Sequence, residues 1–242
     1  MTSETEVPVV AIDGPSGSGK GTIARRVAAS LGWHLLDSGA LYRLVAVAAK
    51  RRGVALDEVE GLAGIAAGLD VRFDSDANGE ERIWLDGEPV TAEVRTEEAG
   101  KRASVVATLA PVREALLGLQ RGFRRLPGLV ADGRDMGTQV FRDATLKVFL
   151  TASAEERARR RHKQLKDKGI DVSLAALSRD IGDRDRRDSE RSVAPLRPAG
   201  DARLLDSSGR SIEAVTQTVL DWIVESKLEF RTESREFPSK RE

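Results

Sequence analysis

The 242-residue chain contains no cysteine, few aromatic residues and no excess of either charge. The absence of cysteine excludes disulfide bridges and thiolate metal sites, and it suits a reducing compartment. Aromatic residues make up 4% of the chain, so stacking surfaces for single-stranded nucleic acid are scarce. The 39 basic residues equal the 39 acidic ones, whereas a dedicated nucleic-acid-binding protein usually has a basic excess. We therefore expect no nucleic-acid partner.

Long apolar runs are also missing from the sequence. No stretch approaches the roughly 20 apolar residues that a membrane span needs. The N-terminal sequence MTSETEVPVV carries acids where a secretory signal would need basic residues. We therefore expect a cytoplasmic protein with no membrane partner. The 40% apolar and 32% charged residues are typical of a globular protein with one sizeable core.

The stretch VVAIDGPSGSGKGT, residues 9–22, predicts a phosphate-binding loop. An apolar strand precedes a glycine-rich turn, and a helical pattern begins at Lys20. Glycine lets backbone N–H groups approach an anion at the helix N-terminus, and Lys20 adds a positive charge for the outer phosphates. The spacing Gly14-x-x-x-x-Gly19-Lys20, with a strand before it and a helix after it, favours this interpretation over an ordinary glycine-rich turn. Gly21 stands where the usual pattern has Ser or Thr, and the hydroxyl follows at Thr22.

Two further clusters of polar residues follow predicted strands. A strand over residues 34–37 leads into a helix that Ser38 is expected to cap and that carries Arg43. The strand over residues 129–132 ends in Asp132-Gly133-Arg134-Asp135. Ligands of open α/β sheets gather at the carboxyl edge of the strands, so both clusters are candidate binding residues. The ordinary alternatives are a helix cap, a solvated arginine and a charged turn.

The remaining pattern predicts one α/β core with two excursions. Residues 70–95, which include a turn at Asp76-Ala77-Asn78-Gly79, predict a small antiparallel β insertion. Helices are predicted over residues 57–69, 97–107 and 111–125. Beyond a strand at 146–150, a basic helix over residues 155–168 and a second helix over 173–188 form the other excursion. A strand at 202–206 and a helix from 211 to about 228 complete the core, and residues 229–242 predict a disordered tail.

Six features occur in order: GPSGSGKGT, LLDSGALYR, the β insertion, ADGRDMGT, the arginine-rich helix and RDSERSVAPL. Together they resemble the bacterial cytidylate (CMP/dCMP) kinases over nearly the whole chain apart from its two ends. The β insertion separates that family from the adenylate kinases. The resemblance implies an α/β fold, with a three-layer α/β/α phosphate-loop core on a five-stranded parallel sheet. It also implies a monomer that transfers a phosphoryl group from ATP, with Mg²⁺, to CMP or dCMP.

The resemblance divides the chain into functional segments. Residues 1–37, 129–152 and 199–228 would form the core, and residues 38–128 the CMP-binding lobe. Residues 153–198 would form an arginine-rich lid. The ATP phosphates would contact Gly14, Pro15, Ser16, Gly17, Ser18, Gly19, Lys20, Gly21 and Thr22.

Individual roles follow from the same resemblance. The monophosphate pocket would contain Ser38, Arg43 and Arg134, and the cytosine-reading positions would be Ser104, Arg113 and Asp135. The sugar and phosphate would meet Arg184, Asp188 and Arg191. The catalytic cations would be Lys20, Arg134, Arg157 and Arg161, and Asp132 would order the water ligands of Mg²⁺.

Two alternatives stay open at this point. One is another small-molecule kinase of the phosphate-loop class, acting on UMP or AMP. The other is a nucleotide switch or RNA-binding protein that uses the basic helix over residues 157–168. The zero net charge, the scarcity of aromatic residues and the lack of an Asn-Lys-x-Asp motif disfavour the second alternative.

Overall fold

The structure is a computed structural model that describes residues 7–75, 81–167, 169–191 and 193–233. In chain order these residues form β1 Val9–Asp13, α1 Lys20–Leu31, β2 His34–Asp37, α2 Ser38–Arg51, α3 Val59–Ala67, β3 Val71–Ser75, β4 Glu81–Leu85, β5 Glu88–Pro89, α4 Thr91–Val94, α5 Glu97–Val106, α6 Ala110–Arg121, β6 Leu129–Gly133, a π-helical turn Met136–Val140, β7 Leu146–Thr151, α7 Ala154–Asp167, α8 Leu174–Ser189, β8 Arg203–Asp206 and α9 Ile212–Glu233.

Five strands form a parallel sheet in the order β2-β6-β1-β7-β8. Helices cover both faces, so a strand at the centre of the sheet is buried on both sides and reads as a continuous apolar run. The first four residues of β1, VVAI, are all fully buried. The predicted α/β class with a five-stranded parallel sheet is confirmed.

The two faces of the sheet carry separate parts of the core because successive side chains of a strand point to opposite sides. On one face Val10 and Ile12 pack with residues of α1 and α9. On the other, Val9 and Ala11 pack with α2, α6 and the residues beneath the β insertion. The segments after the carboxyl ends of these parallel strands meet at one edge of the sheet.

Two excursions leave the core, as the sequence predicts. Strands β3, β4 and β5 form a small antiparallel sheet, and the predicted turn at residues 76–79 lies outside the described residues. In the second excursion, α7 packs against α8, which in turn contacts α5. Among the described residues, no helix is long and apolar enough to cross a membrane.

Several element boundaries differ from the sequence prediction. The N-cap of α2 is Asp37, whose carboxylate accepts a hydrogen bond from the Ala40 amide at 3.0 Å, and Ser38 is the first helical residue. Helix α6 ends at Arg121, before Gly122. The last helix, predicted to end at about residue 228, continues to Glu233 as α9. Adding residues to an established helix costs far less than nucleating one, so a polar segment can extend it.

Candidate active site

The carboxyl edge of the parallel sheet brings several acidic residues level with one another. Asp37 at the end of β2 pairs in register with Asp132 of β6, and Asp13 at the end of β1 pairs with Gly133. The segments that follow β1 and β6 carry the glycine-rich loop and the predicted Arg134 and Asp135. The site therefore forms where open α/β sheets usually bind their ligands.

The glycine-rich loop, residues 14–19, connects β1 to α1 in a conformation that depends on its glycines. Gly14, Gly17 and Gly19 have φ values of 154°, 80° and 92°. A Cβ atom on Gly14 would lie 2.1 Å from the Leu150 carbonyl oxygen, so no larger residue fits there. The loop borders a cavity of about 810 Å³ that residues of α7 and α8 also line.

Side-chain donors form hydrogen bonds to three backbone carbonyl groups of this loop. Lys20 Nζ donates to the Pro15 carbonyl oxygen at 3.1 Å. From α7, Arg157 Nη1 donates to the Ser16 carbonyl oxygen at 3.1 Å, and Arg160 Nη1 to the Ser18 carbonyl oxygen at 3.2 Å. Occupied carbonyl groups fix the peptide planes of a loop and so fix the direction of its N–H groups. This pre-organises the loop to bind an anion.

Lys20 and Asp132 are both buried at the base of the loop. Burial lowers the pKa of Lys20 to about 7, with Arg134 acting in the same direction and Asp132 opposing it. Burial also raises the pKa of Asp132 to about 6, against the pull of Lys20. Asp132 Oδ1 has no hydrogen-bond partner among the described residues. A buried carboxylate oxygen without a partner fits a water-mediated contact to Mg²⁺, which prefers oxygen ligands and retains several waters.

A second cavity, of about 170 Å³, opens beside the first. Its lining includes most of the residues predicted for the acceptor: Ser38, Arg43, Ser104, Arg113, Arg134, Asp135, Arg184 and Arg191. The two cavities share five lining residues: Ser16, Lys20, Arg43, Ser104 and Arg184. A donor in the large cavity and an acceptor in the small one would thus meet at Lys20 and Arg184.

Buried ion pairs line the small cavity. Arg113 and Asp135 form one, with side chains that are 8% and 6% exposed. Burial raises the pKa of Asp135, although Arg113 and Arg191 oppose this shift. The Arg113 guanidinium also lies over the Tyr42 ring, 5.9 Å from its centroid. These contacts hold one carboxylate and one guanidinium at the inner end of the cavity, where each can hydrogen bond a planar ligand.

Asp188 lies behind the small cavity and accepts hydrogen bonds from two arginines. Arg134 Nε is 3.0 Å from Asp188 Oδ2, and Arg191 contacts Oδ1. Burial opposes ionisation, but Arg134, Arg191 and Arg184 together hold the pKa of Asp188 below its ordinary value. The structure thus joins Arg134, from the segment after β6, to Asp188 near the end of α8 and to Arg191 just beyond it.

Arg184 lies where the two cavities meet, and its Nε atom has no hydrogen-bond partner among the described residues. Burial lowers its pKa to about 9, with a further contribution from Arg134. A buried guanidinium beside other cations is unfavourable unless an anion binds it. This residue is therefore a strong candidate for contact with phosphate.

The predicted Arg43, Arg157 and Arg161 have protein partners in this structure. Arg43 donates to the carbonyl oxygens of Val94 and Thr96 at 3.0 and 3.1 Å. Arg161 pairs with Glu97 at the start of α5, which links α7 to α5.

Arg157 is almost completely buried and makes a bidentate pair with Asp185, at 2.9 and 2.6 Å, in addition to its bond to the phosphate loop. The Arg157 guanidinium therefore holds the backbone of the phosphate loop and is itself held by Asp185 of α8.

Sequence reasoning missed several residues that shape the site. Asp37 pairs with Arg95 at 3.2 Å as well as capping α2, and Arg95 lines the small cavity. Asp13 is buried, and burial raises its pKa to about 7 despite two hydrogen bonds from backbone amides. An acidic residue as the last residue of a strand is a signal that could have found both Asp13 and Asp37. No local pattern distinguishes Arg95 from a surface arginine.

This geometry defines a class of protein. A phosphate loop at the carboxyl edge of a parallel sheet, with two joined cavities lined by arginines, is the arrangement of a phosphate-loop kinase, since phosphoryl transfer needs in-line positioning and positive charge.

Comparisons with known proteins narrow the class to a family. A family model described as cytidylate kinase matches residues 10–225. The chain is 62% identical over 215 residues to a cytidylate kinase of Pseudomonas aeruginosa, covering 88% of this chain and 94% of that one. It is 58% identical over 218 residues to a cytidylate kinase of Cupriavidus pinatubonensis, covering 90% and 96%. The chain belongs to the cytidylate kinase family.

Proposed function

We propose that this chain transfers the γ-phosphoryl group of ATP to the phosphate of CMP or dCMP, giving ADP and CDP or dCDP. A bond forms between an acceptor phosphate oxygen and the γ-phosphorus as the bond from that phosphorus to the bridging oxygen breaks. The observation that carries the proposal is the junction of the two cavities at Lys20 and Arg184. Family membership and the high identity to cytidylate kinases support it.

On the donor side, we propose that residues 14–22 bind the ATP phosphates. The loop is already held by its carbonyl groups, so binding requires little reorganisation. Lys20, close to the second cavity, would stabilise the negative charge that develops on the transferring group. Arg157 would keep the loop in place through the Ser16 carbonyl group, and Arg161 would reach the phosphoryl group once released from Glu97.

On the acceptor side, we propose that Arg43, Arg134 and Arg184 neutralise the CMP phosphate, with Ser38 beside them. A guanidinium can bind two phosphate oxygens at once. Arg191 and Asp188 would hold Arg134 in place and contact the sugar. Because the two arginines bonded to Asp188 come from different segments, the phosphate and sugar contacts would depend on each other.

At the inner end of the small cavity, we propose that Asp135, Arg113 and Ser104 read the cytosine ring. The cytosine amino group is a donor that a carboxylate accepts, while its carbonyl and ring nitrogen accept from arginine or serine. Uracil presents a carbonyl where cytosine has the amino group, so the Asp135 carboxylate would repel it. The Arg113–Asp135 pair fixes both groups before the ligand arrives.

Mg²⁺ would be held through water by Asp132, whose Oδ1 atom has no other partner among the described residues. When bound, the ion would neutralise charge on the ATP phosphates. We further propose that residues 38–128 and 153–198 act as lobes that close over residues 1–37, 129–152 and 199–228, because transfer to CMP requires that water be excluded. The monomeric state and the cytoplasmic location stay predictions.

The test is a substrate panel with purified protein. We expect ATP-dependent ADP release with CMP and dCMP, and much less with UMP or AMP. A preference for AMP or UMP would contradict the proposed base reading. Salt-dependent RNA binding without any kinase activity would contradict the whole assignment. Each reaction should also be run without an acceptor, so that ATP hydrolysis is subtracted.

A further inference from the structure

The Asp13 carboxylate connects the strand that carries the phosphate loop to the turn that follows Asp135. Asp13 is the last residue of β1 and immediately precedes Gly14 of the phosphate loop. Its side chain is buried, and both oxygens are used. Oδ1 accepts from the Met136 amide and Oδ2 from the Gly137 amide, each at 2.8 Å.

Those two amides open the π-helical turn that follows Arg134 and Asp135. The first N–H groups of a helical turn lack partners within the turn, and a carboxylate facing them satisfies both hydrogen bonds and charge. Single π-helical turns often occur at functional sites. Here the turn begins directly after the two residues proposed to bind the CMP phosphate and the cytosine ring.

Close packing leaves this turn little freedom to shift. A Cβ atom added at Gly133 would lie 2.7 Å from Ser38 Oγ and from a side-chain carbon of Met136. A Cβ atom at Gly137 would lie 3.1 Å from the Lys147 side chain and 3.5 Å from Asp13 Oδ2. The turn is thus packed against the end of β1, and the two hydrogen bonds set its orientation.

We propose that Asp13 is a positioning residue that fixes Arg134 and Asp135 of the acceptor pocket to the strand that carries the phosphate loop. The inference deepens the proposed function, on which it rests for the roles of Arg134 and Asp135. The phosphate loop itself has independent support from Lys20, Arg157 and Arg160. Loss of the Asp13 carboxylate should therefore disturb the acceptor more than the donor.

The variant Asp13→Asn tests this, because its amide group keeps the size of the carboxylate but places an NH₂ group against one of the two N–H groups. We expect KM for CMP to rise about tenfold, because one hydrogen bond to a charged group is lost. The preference for CMP over UMP should fall as well. KM for ATP should change less than about threefold. A merely structural loss would raise both KM values or lower kcat alone. Either result, or unchanged kinetics, would overturn the proposal.

Asp206→Asn is the matched control. Asp206 also ends a strand of the parallel sheet, and its Oδ1 atom accepts from the Ser208 amide at 2.8 Å, but the bond lies away from the acceptor pocket. We expect its CMP preference to equal that of the unchanged protein. A drop as large as that of Asp13→Asn would show that losing any such carboxylate has this effect, and would overturn the proposal.

Amide hydrogen exchange in the unchanged protein provides a readout that depends neither on kinase activity nor on the folding of a variant. In the unchanged protein, the Met136 and Gly137 amides should exchange slowly, and in Asp13→Asn they should exchange faster while the amides of β1 and β6 keep their protection. Rapid exchange of both amides in the unchanged protein would overturn the bridge. If exchange is slow but CMP is no substrate, the proposed function fails and the bridge stands.

Discussion

The donor and acceptor sides of the site hold their cations in different ways. Around the phosphate loop, the cations bond to backbone carbonyl groups of the loop itself. In the small cavity, Arg113, Arg134 and Arg191 bond to the carboxylates of Asp135 and Asp188. The donor-side cations thus hold the backbone of the loop in place, whereas these three acceptor-side arginines are already paired with carboxylates before a ligand binds.

This difference has a consequence for specificity. A cradle of loop N–H groups and cations binds phosphates but does not distinguish one nucleotide from another. Arginines that are already paired with carboxylates gain less from the charge of a ligand, which must replace or share the existing hydrogen bonds. We therefore expect changes on the donor side to affect turnover, and changes on the acceptor side to affect the choice of substrate.

The largest effect is expected for Lys20→Met, which breaks the donor side. Loss of a fixed charge next to the transferring group should lower kcat by at least about 10²–10³-fold. Steady-state ADP release with CMP measures it. Lys50→Met, which removes an exposed lysine paired with Glu98, is the control and should leave kcat unchanged. Near-normal turnover in Lys20→Met would contradict the proposed role.

Removing this buried charge should also change stability. The pKa of Lys20 in the folded state lies near 7, below its ordinary value of 10.5. Between these values the unfolded chain binds more protons, so stability should rise with pH from about 7 to 10.5 through this residue. Thermal unfolding measured across this pH range should show a smaller rise in stability for Lys20→Met than for the unchanged protein.

On the acceptor side, Asp135→Asn should change substrate choice. An asparagine cannot supply the negative charge that favours the cytosine amino group and repels the uracil carbonyl. We expect the ratio of kcat/KM for CMP to that for UMP to fall by up to about 100-fold, the worth of a hydrogen bond to a charged group. Asp143→Asn, at an exposed carboxylate paired with Arg124, is the control. An equal loss for both nucleotides would mean that Asp135 does not read the base.

The sequence alone predicted the parts of the fold that depend on local pattern. The buried run of β1, the glycine spacing before Lys20 and the alternation in the β insertion each reflect short-range physical constraints. The pattern ended the last helix near residue 228 because the following residues are polar, whereas an existing helix lowers the cost of adding residues up to Glu233.

The site was predicted less completely, for a physical reason. The motifs indicated which residues are candidates, but hydrogen-bond partners depend on contacts between distant segments. The Arg157–Asp185 and Arg161–Glu97 pairs join residues 28 and 64 positions apart, and neither has a local signature. Asp13 looked like the end of a strand because its partners lie more than 120 residues away.

The smallest effect, and the one that joins the two sides, is expected at Arg184. Its folded-state pKa of about 9 lies below the ordinary 12.5, so the buried charge is a constant cost to stability below pH 9. Arg184→Met should lower kcat/KM for CMP about tenfold yet raise the Tm of the ligand-free protein, by about 2–4 °C for each kcal/mol recovered. Arg186→Met, an exposed neighbour on α8 paired with Asp183, should change neither. A lower Tm in Arg184→Met would mean that the guanidinium is compensated without ligand, as the carboxylate-paired Arg113 and Arg134 are.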